Sequence, residues 1–289
     1  MSIQRVAIVG PGLLGGSIAL ALRGRKEVSV AIWARRPEMV EELKAMVIAQ
    51  YTATKLARVV RDADLIILCT PIEVMPELAR EIVGAAKPGA IVTDVGSVKA
   101  PVVAELGAIF KGGPRFVGSH PMAGSEQTGL RAARADLFRG ATCIVTPEAD
   151  SDAAAVAEVG EFWQSLGCRV RHLSPTAHDE AVALISHFPH LLAATLVNVV
   201  AERHDAAFDF CGPGFRDTTR VASGPPEMWA GILAANSTAV RGALDAMIEK
   251  LREIANILAR DPGDPAIRTL LTHAQQRRAQ VRFPNSTNV

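Results

Sequence analysis

Short runs of branched apolar residues recur through the first 175 positions, at residues 4–9, 28–33, 65–70, 91–95, 115–118, 142–146 and 169–173, separated by amphipathic stretches. That alternation predicts a parallel sheet with helices on both faces, an α/β architecture. Residues 152–166 read as a helix between the last two strands, closed by Gly167. Beyond Pro175 the strand signal disappears, and residues 176–203 and 236–260 read as long helices. The expected organisation is therefore an α/β unit over residues 1–174 and an all-α unit over 175–289. In the later helix, Val240, Leu244, Met247, Leu251, Ile254 and Leu258 follow spacings of four and three. This narrow apolar seam calls for a partner helix, in the same subunit or in a second one. Pro189 lies inside the earlier helix, where it removes a backbone donor and predicts a kink in the segment 187–190. The polar tail 284–289 reads as a frayed end.

Composition narrows the partners. The 289 residues are 49% hydrophobic and carry a net charge of +1, which gives no electrostatic case for nucleic acid or a membrane surface. Charged residues punctuate the long apolar stretches, and the N-terminus enters a strand pattern at once, without the regions of a signal peptide. A cytoplasmic protein with a small-molecule ligand is the expectation. Cys69, Cys143, Cys168 and Cys211 are widely spaced, so buried reduced thiols are expected rather than disulfides or a zinc site.

Gly10, Gly12 and Gly15 have G-x-G-x-x-G spacing at a strand-to-helix junction, with Leu13 and Leu14 opening the helix. Glycines there let backbone N–H groups approach a pyrophosphate, and the helix N-terminus favours its charge. The next strand ends in Ala34 where an NAD site usually has a carboxylate, and Arg35 and Arg36 follow. Forked hydrogen bonds from these arginines to a 2′-phosphate favour NADP; two solvated arginines with NAD bound is the alternative. Thr70 and Pro71, after the strand at 65–70, are placed on the nicotinamide side of the cofactor.

His120 follows the strand at 115–118, in a loop of small residues, with Pro121 fixing the chain behind it. A neutral imidazole there is able to accept the proton of a hydroxyl, as oxidation of an alcohol-bearing carbon requires. His187 and His190 form an HxxH pair, but with Pro189 between them and no third ligand in register no metal is expected.

Five stretches in order, GPGLLGGS at 10–17, DVGSVK at 94–99, GSHPMAGSE at 118–126, SHFPH at 186–190 and GFRDTTRVA at 214–222 with Met228 and Trp229 after it, together resemble the prephenate/arogenate dehydrogenase family of tyrosine biosynthesis. The resemblance implies a Rossmann-like N-terminal domain, a helical dimerisation domain and oxidative decarboxylation of a cyclohexadienol. It makes His120 the hydrogen-bond acceptor for the ring 4-hydroxyl. Ser97 contacts the same hydroxyl, and Asp94 joins Ser97 beside the cofactor. Arg220 binds the ring carboxylate, His190 lies near the substrate side chain, and His187, Asp217 and Trp229 support the site. Glu126 is expected to close its loop by hydrogen bonding.

The loop at Pro213 departs from the glycine-rich form of the family. No separate regulatory domain or fused mutase is expected after the helices, so tyrosine inhibition is expected to be competitive. Prephenate and arogenate reach the same histidine and arginine, and the sequence leaves both open. Two other readings stand beside this one: a two-domain dehydrogenase acting on a β-hydroxyacid or a 4-amino-prephenate analogue, and a dinucleotide sensor with a dead site. Intact Ser97, His120 and Arg220 weigh against the sensor.

Overall fold

The computed structural model describes residues 3–281, so the 284–289 tail lies outside the described residues. Through residue 172 the chain alternates strand and helix: β1 (Arg5–Val9), α1 (Leu13–Leu22), β2 (Ser29–Trp33), α2 (Pro37–Met46), β3 (Tyr51–Ala53), α3 (Leu56–Val60), β4 (Leu65–Leu68) and α4 (Met75–Ala85). There follow β5 (Ile91–Asp94), α5 (Ala100–Phe110), β6 (Arg115–Pro121), β7 (Thr142–Thr146), α6 (Ala153–Ser165) and β8 (Arg169–His172). They form one sheet in the order β3-β2-β1-β4-β5-β6-β7-β8. Side-chain alternation assigns each strand's residues to two cores. Val6, Ile8, Leu65 and Ile67 join α1, α2 and α6 on one face, while Ala7, Val9, Ile66 and Leu68 join α3, α4 and α5 on the other.

Two features differ from the sequence expectation. The sheet is mixed: β6 and β7 pair antiparallel, with His120 opposite Ile144. The β6–β7 connection contains a single 3-10 turn, Leu130–Ala132, and no crossover helix, so the chain returns antiparallel. The short edge strand β3, beside β2, carries too few residues for a periodicity signal. Gly167 does end α6, with φ +93°. Cysteines also divide: Cys143 and Cys168 are buried and Cys69 half-buried, but Cys211 is exposed.

The rest of the chain is helical. α7 (Pro175–Val182) runs through a π-helical turn, Ala183–His187, into α8 (Phe188–His204). After a 3-10 turn come α9 (Pro213–Thr219), a second 3-10 turn (Arg220–Ser223), α10 (Pro226–Ala235), α11 (Ser237–Arg260) and α12 (Pro265–Gln280). The expected irregularity at Pro189 takes the form of that π turn, one residue before the Phe-Pro pair at the start of α8. α9, α10 and α12 were not foreseen; α12 is exposed along nearly its whole length and has little apolar periodicity to read.

The stretch Pro175–Phe210 is long and apolar enough by composition to cross a bilayer, with mean hydropathy 1.5 in its most apolar window. Charged residues therefore punctuate it less than expected. Its buried side chains include His178, Asp179, His187 and His190, which face the rest of the protein, while Leu192, Leu196 and Val199 are exposed. The seam on α11 is open as well: Val240 is 5% exposed, but Leu251 is 50% and Leu258 is 48%.

Candidate active site

β1 delivers the chain into the glycine loop. Gly10 has φ +106°, and a Cβ there would meet the Cys69 carbonyl at 3.0 Å. A Cβ on Gly15 would come within 2.1 Å of the Gly10 carbonyl oxygen, whereas one on Gly12 would meet nothing within 4 Å. Gly15 thus lets α1 pack on the loop, and Gly12 leaves open space. Gly12 is also the N-cap of α1 and supplies no side-chain cap, so the first N–H groups, from Leu13 onward, are free of one. Beside this loop, Thr70 Oγ1 is buried with no hydrogen-bond partner among the described residues, and Pro71 is exposed.

Ala34 is 1% exposed and donates its N–H to the Ala53 carbonyl, which joins the ends of β2 and β3. Arg35 and Arg36 follow it on the surface, and neither forms an ion pair among the described residues. No carboxylate stands at this strand end.

The neighbouring ends of β5 and β6 form the polar centre. Asp94, at the end of β5, is fully buried and ion-paired to Lys99, itself 0% exposed. Its carboxylate also accepts the Gly96 N–H at 2.8 Å and the Ser119 N–H at 3.2 Å. Expected beside the cofactor, Asp94 is enclosed beneath the loop that carries half-buried Ser97. Ser119 Oγ donates to the Asp94 carbonyl at 2.7 Å and accepts Trp163 Nε1–H at 3.0 Å, which fixes the residue before His120.

His120 is 7% exposed, near the end of β6. Its Nδ1 lies 2.9 Å from His178 Nε2 on α7, and His178 Nδ1 lies 2.8 Å from Asp179 Oδ1. Asp179 also accepts the N–H groups of Lys99 and Ala100, each at 2.7 Å, and so caps α5 from the helical unit. Burial, with repulsion from Lys99 and from His178 and His187 wherever those rings are protonated, holds the His120 pKa well below the usual histidine value.

On the helical side, His187 is fully buried and its Nδ1 lies 3.1 Å from Asn236 Nδ2, while Nε2 has no partner among the described residues. Burial brings its pKa down to about 4. His190 stacks on Trp229 with ring centroids 3.6 Å apart and planes at 12°; its Nδ1 is also unpartnered, and burial lowers its pKa. Arg220 reaches from the turn after α9 to Glu126, 2.8 Å away, on the loop after β6. Glu126 therefore ties that loop to the helical unit. Asp217 is 68% exposed and paired with Arg216 at 3.0 Å. Among the described residues no cluster of three His, Cys, Asp or Glu is placed to hold a metal.

The structure thus gathers His120 with His178 and Asp179, joins His190 to Trp229, and connects Arg220 to the loop after β6. Sequence reading missed His178, Asp179 and Asn236, and gave Lys99 no role. The signal present was the His-Asp pair just behind the Ser174-Pro175 cap of α7.

Two family models match the chain: the prephenate dehydrogenase nucleotide-binding domain over residues 18–172 and the prephenate dehydrogenase dimerization domain over 174–272. A cyclohexadienyl dehydrogenase of Zymomonas mobilis is 32% identical over 266 residues, 90% of each chain. The crystal structure of prephenate dehydrogenase from A. aeolicus, in complex with hydroxyphenyl propionate and NAD+, aligns with TM-score 0.89 at 29% identity over 97% of this chain and 99% of that one. Synechocystis arogenate dehydrogenase aligns with TM-score 0.82 at 29% identity, over 96% and 99%.

Proposed function

The chain belongs to the prephenate dehydrogenase family, and from that premise we propose that His120 takes the ring-hydroxyl proton in the family's reaction. The protein is an oxidoreductase that carries out NAD(P)-dependent oxidative decarboxylation of prephenate, arogenate or both, to 4-hydroxyphenylpyruvate or tyrosine. The observation that supports the role of His120 is its place near the carboxyl end of β6, in the same sheet as β1 with its glycine loop and on the strand that leads into the loop held by Arg220.

The residues fit a nicotinamide dinucleotide: the Gly12 position is open, the start of α1 is uncapped, and Thr70 Oγ1 is an orphaned buried hydroxyl. Gly10, Gly12, Leu13, Leu14 and Gly15 would hold the pyrophosphate, and Thr70 and Pro71 the nicotinamide side. Unpaired Arg35 and Arg36, with Ala34 before them, favour NADP over NAD. When bound, the nicotinamide supplies the hydride acceptor.

His120 accepts the hydroxyl proton as the C4–H electron pair leaves, then returns it to the ring oxygen as the ring carboxylate departs as CO₂. No net proton is released. Ser97 hydrogen-bonds the same hydroxyl and orients His120, with Asp94 supporting that loop from below. Arg220 holds the ring carboxylate, exchanging Glu126 for it. His190 and Trp229 wall the substrate side chain, His187 backs them, and Asp217 serves the rim. The division between the nucleotide-binding and helical units falls at residue 174. The open seam on α11, with Leu251 and Leu258, is the surface for a second copy, giving a cytoplasmic homodimer.

The test is the initial rate of NAD(P)H formation for the four pairings of prephenate or arogenate with NAD⁺ or NADP⁺, in the protein and in His120→Asn. A lead of tenfold or more for one NADP⁺ pairing, about 1.4 kcal/mol of transition-state binding, abolished in His120→Asn, is the expected result. Turnover that survives His120→Asn removes that histidine from the chemistry.

A further inference from the structure

A base that works through one nitrogen must keep that nitrogen's lone pair free, and nothing intrinsic to an imidazole decides which nitrogen carries the proton. Here the surrounding donors decide it. Asp179 accepts three N–H groups: Lys99 N–H and His178 Nδ1–H at Oδ1, and Ala100 N–H at Oδ2. A carboxylate serves this set as an acceptor only, so the proton of neutral His178 sits on Nδ1 and its Nε2 has a lone pair. That lone pair is 2.9 Å from His120 Nδ1. The contact requires a donor, and His120 Nδ1–H is the only one available to a neutral pair. The remaining nitrogen, His120 Nε2, is left with its lone pair.

We propose that His178 and Asp179 are positioning residues for His120: they fix it as the Nδ1–H tautomer, so that Nε2 is the proton acceptor for the substrate hydroxyl. This rests on the role of His120 proposed above. All three side chains are at least nine-tenths buried, with exposures of 7% for His120, 0% for His178 and 5% for Asp179, so water does not compete for the contacts. When His120 takes the proton, its Nδ1–H still donates to His178, and Asp179 carries a full negative charge one ring further on. The imidazolium is therefore stabilised along a line of hydrogen bonds rather than by a direct carboxylate.

The arrangement also links catalysis to domain contact. α7 belongs to the helical unit, whereas His120 and α5 belong to the sheet unit. Asp179 caps α5 with the same carboxylate that orients His178, so the base is set only when the two units are docked.

The experiment compares His178→Leu, His178→Gln and His120→Asn in the full-length enzyme, with kcat, KM and the ring ¹⁵N shifts of His120 as readouts. Gln places a carbonyl oxygen near the position of Nε2 and keeps an acceptor for His120 Nδ1–H; Leu keeps bulk and removes it. The expected result is kcat lower by about 10–10²-fold in His178→Leu, less than the roughly 10²–10⁴-fold worth of a general base itself because His178 only positions it, with KM changed less than about threefold. His178→Gln recovers most of that loss. The ¹⁵N shifts show protonated Nδ1 and bare Nε2 in the protein, and a tautomer mixture in His178→Leu. The proposal is overturned if the protein itself shows a proton on Nε2, if kcat is unchanged in His178→Leu, or if Leu and Gln lower kcat equally. Activity persisting in His120→Asn overturns the role of His120 instead, which keeps the two failures apart.

Discussion

Glu126 Oε2 lies 2.8 Å from Arg220 Nη1, so the guanidinium that we propose for the substrate's ring carboxylate already pairs with a carboxylate of the chain itself. Both side chains are substantially exposed, at 40% and 57%, and the contact is therefore weak enough to exchange. On the role proposed for Arg220, substrate and Glu126 would compete for one fork. Glu126→Gln is expected to lower KM severalfold, whereas Arg220→Ala raises it about 10–100-fold, as loss of a hydrogen bond to a charged group worth about 1.5–3 kcal/mol implies. Steady-state kinetics at constant ionic strength decides between this and a loop-closing role, in which Glu126→Gln would raise KM.

The depressed pKa of His187 predicts a pH limit on stability. In the folded protein it stays neutral down to about pH 4, while in the unfolded chain it takes up a proton near its ordinary value of 6.5. His120 and His190 are lowered in the same direction by burial. The unfolded state therefore binds more protons below about pH 6.5, and stability present above that pH is lost as the pH falls toward 4. Thermal unfolding should show Tm falling across this window, with a shallower fall in His187→Gln; equal slopes would remove His187 from the acid response.

The parts of this candidate site that the sequence exposed lie on local signals. The glycine loop, His120 and the HxxH segment are contiguous motifs, and the strand runs that carry them are buried on both faces and hence continuously apolar. What escaped depends on pairing in space. The antiparallel turn between β6 and β7 is decided by the absence of a crossover helix, and β3 has only three residues. His178 and Asp179 lie 58 and 80 residues from the groups they bind, His120 and Lys99, and no spacing rule connects them.

The exposed seam on the helical unit predicts its own disruption. Leu251 and Leu258 stand half-exposed on α11, on a chain whose C-terminal part matches a dimerization domain. Burying a leucine fully is worth about 1.5–3 kcal/mol, and a symmetric interface counts each one twice. Leu251→Asp with Leu258→Asp is expected to give a monomer in sedimentation velocity at concentrations where the unaltered protein is a dimer. An unchanged sedimentation coefficient would place the interface elsewhere.

The two glycines on either side of the α1 N-terminus separate binding from folding. A Cβ on Gly15 would be driven to 2.1 Å from a backbone oxygen, which cannot move without shifting the loop, and overpacking of this kind costs about 1–3 kcal/mol or more. Gly15→Ala is therefore expected to lower Tm by several degrees, with cofactor affinity falling as a consequence. Gly12 has φ −75° and open space around its Cβ position, so alanine is accommodated there in the free protein. The space it would fill is the approach of a phosphate to the uncapped helix start. Gly12→Ala should hold its Tm within about a degree while dinucleotide binding weakens at least tenfold by titration calorimetry. If both substitutions lower Tm alike, the loop is a packing feature; if Gly12→Ala binds dinucleotide normally, the pyrophosphate lies away from α1.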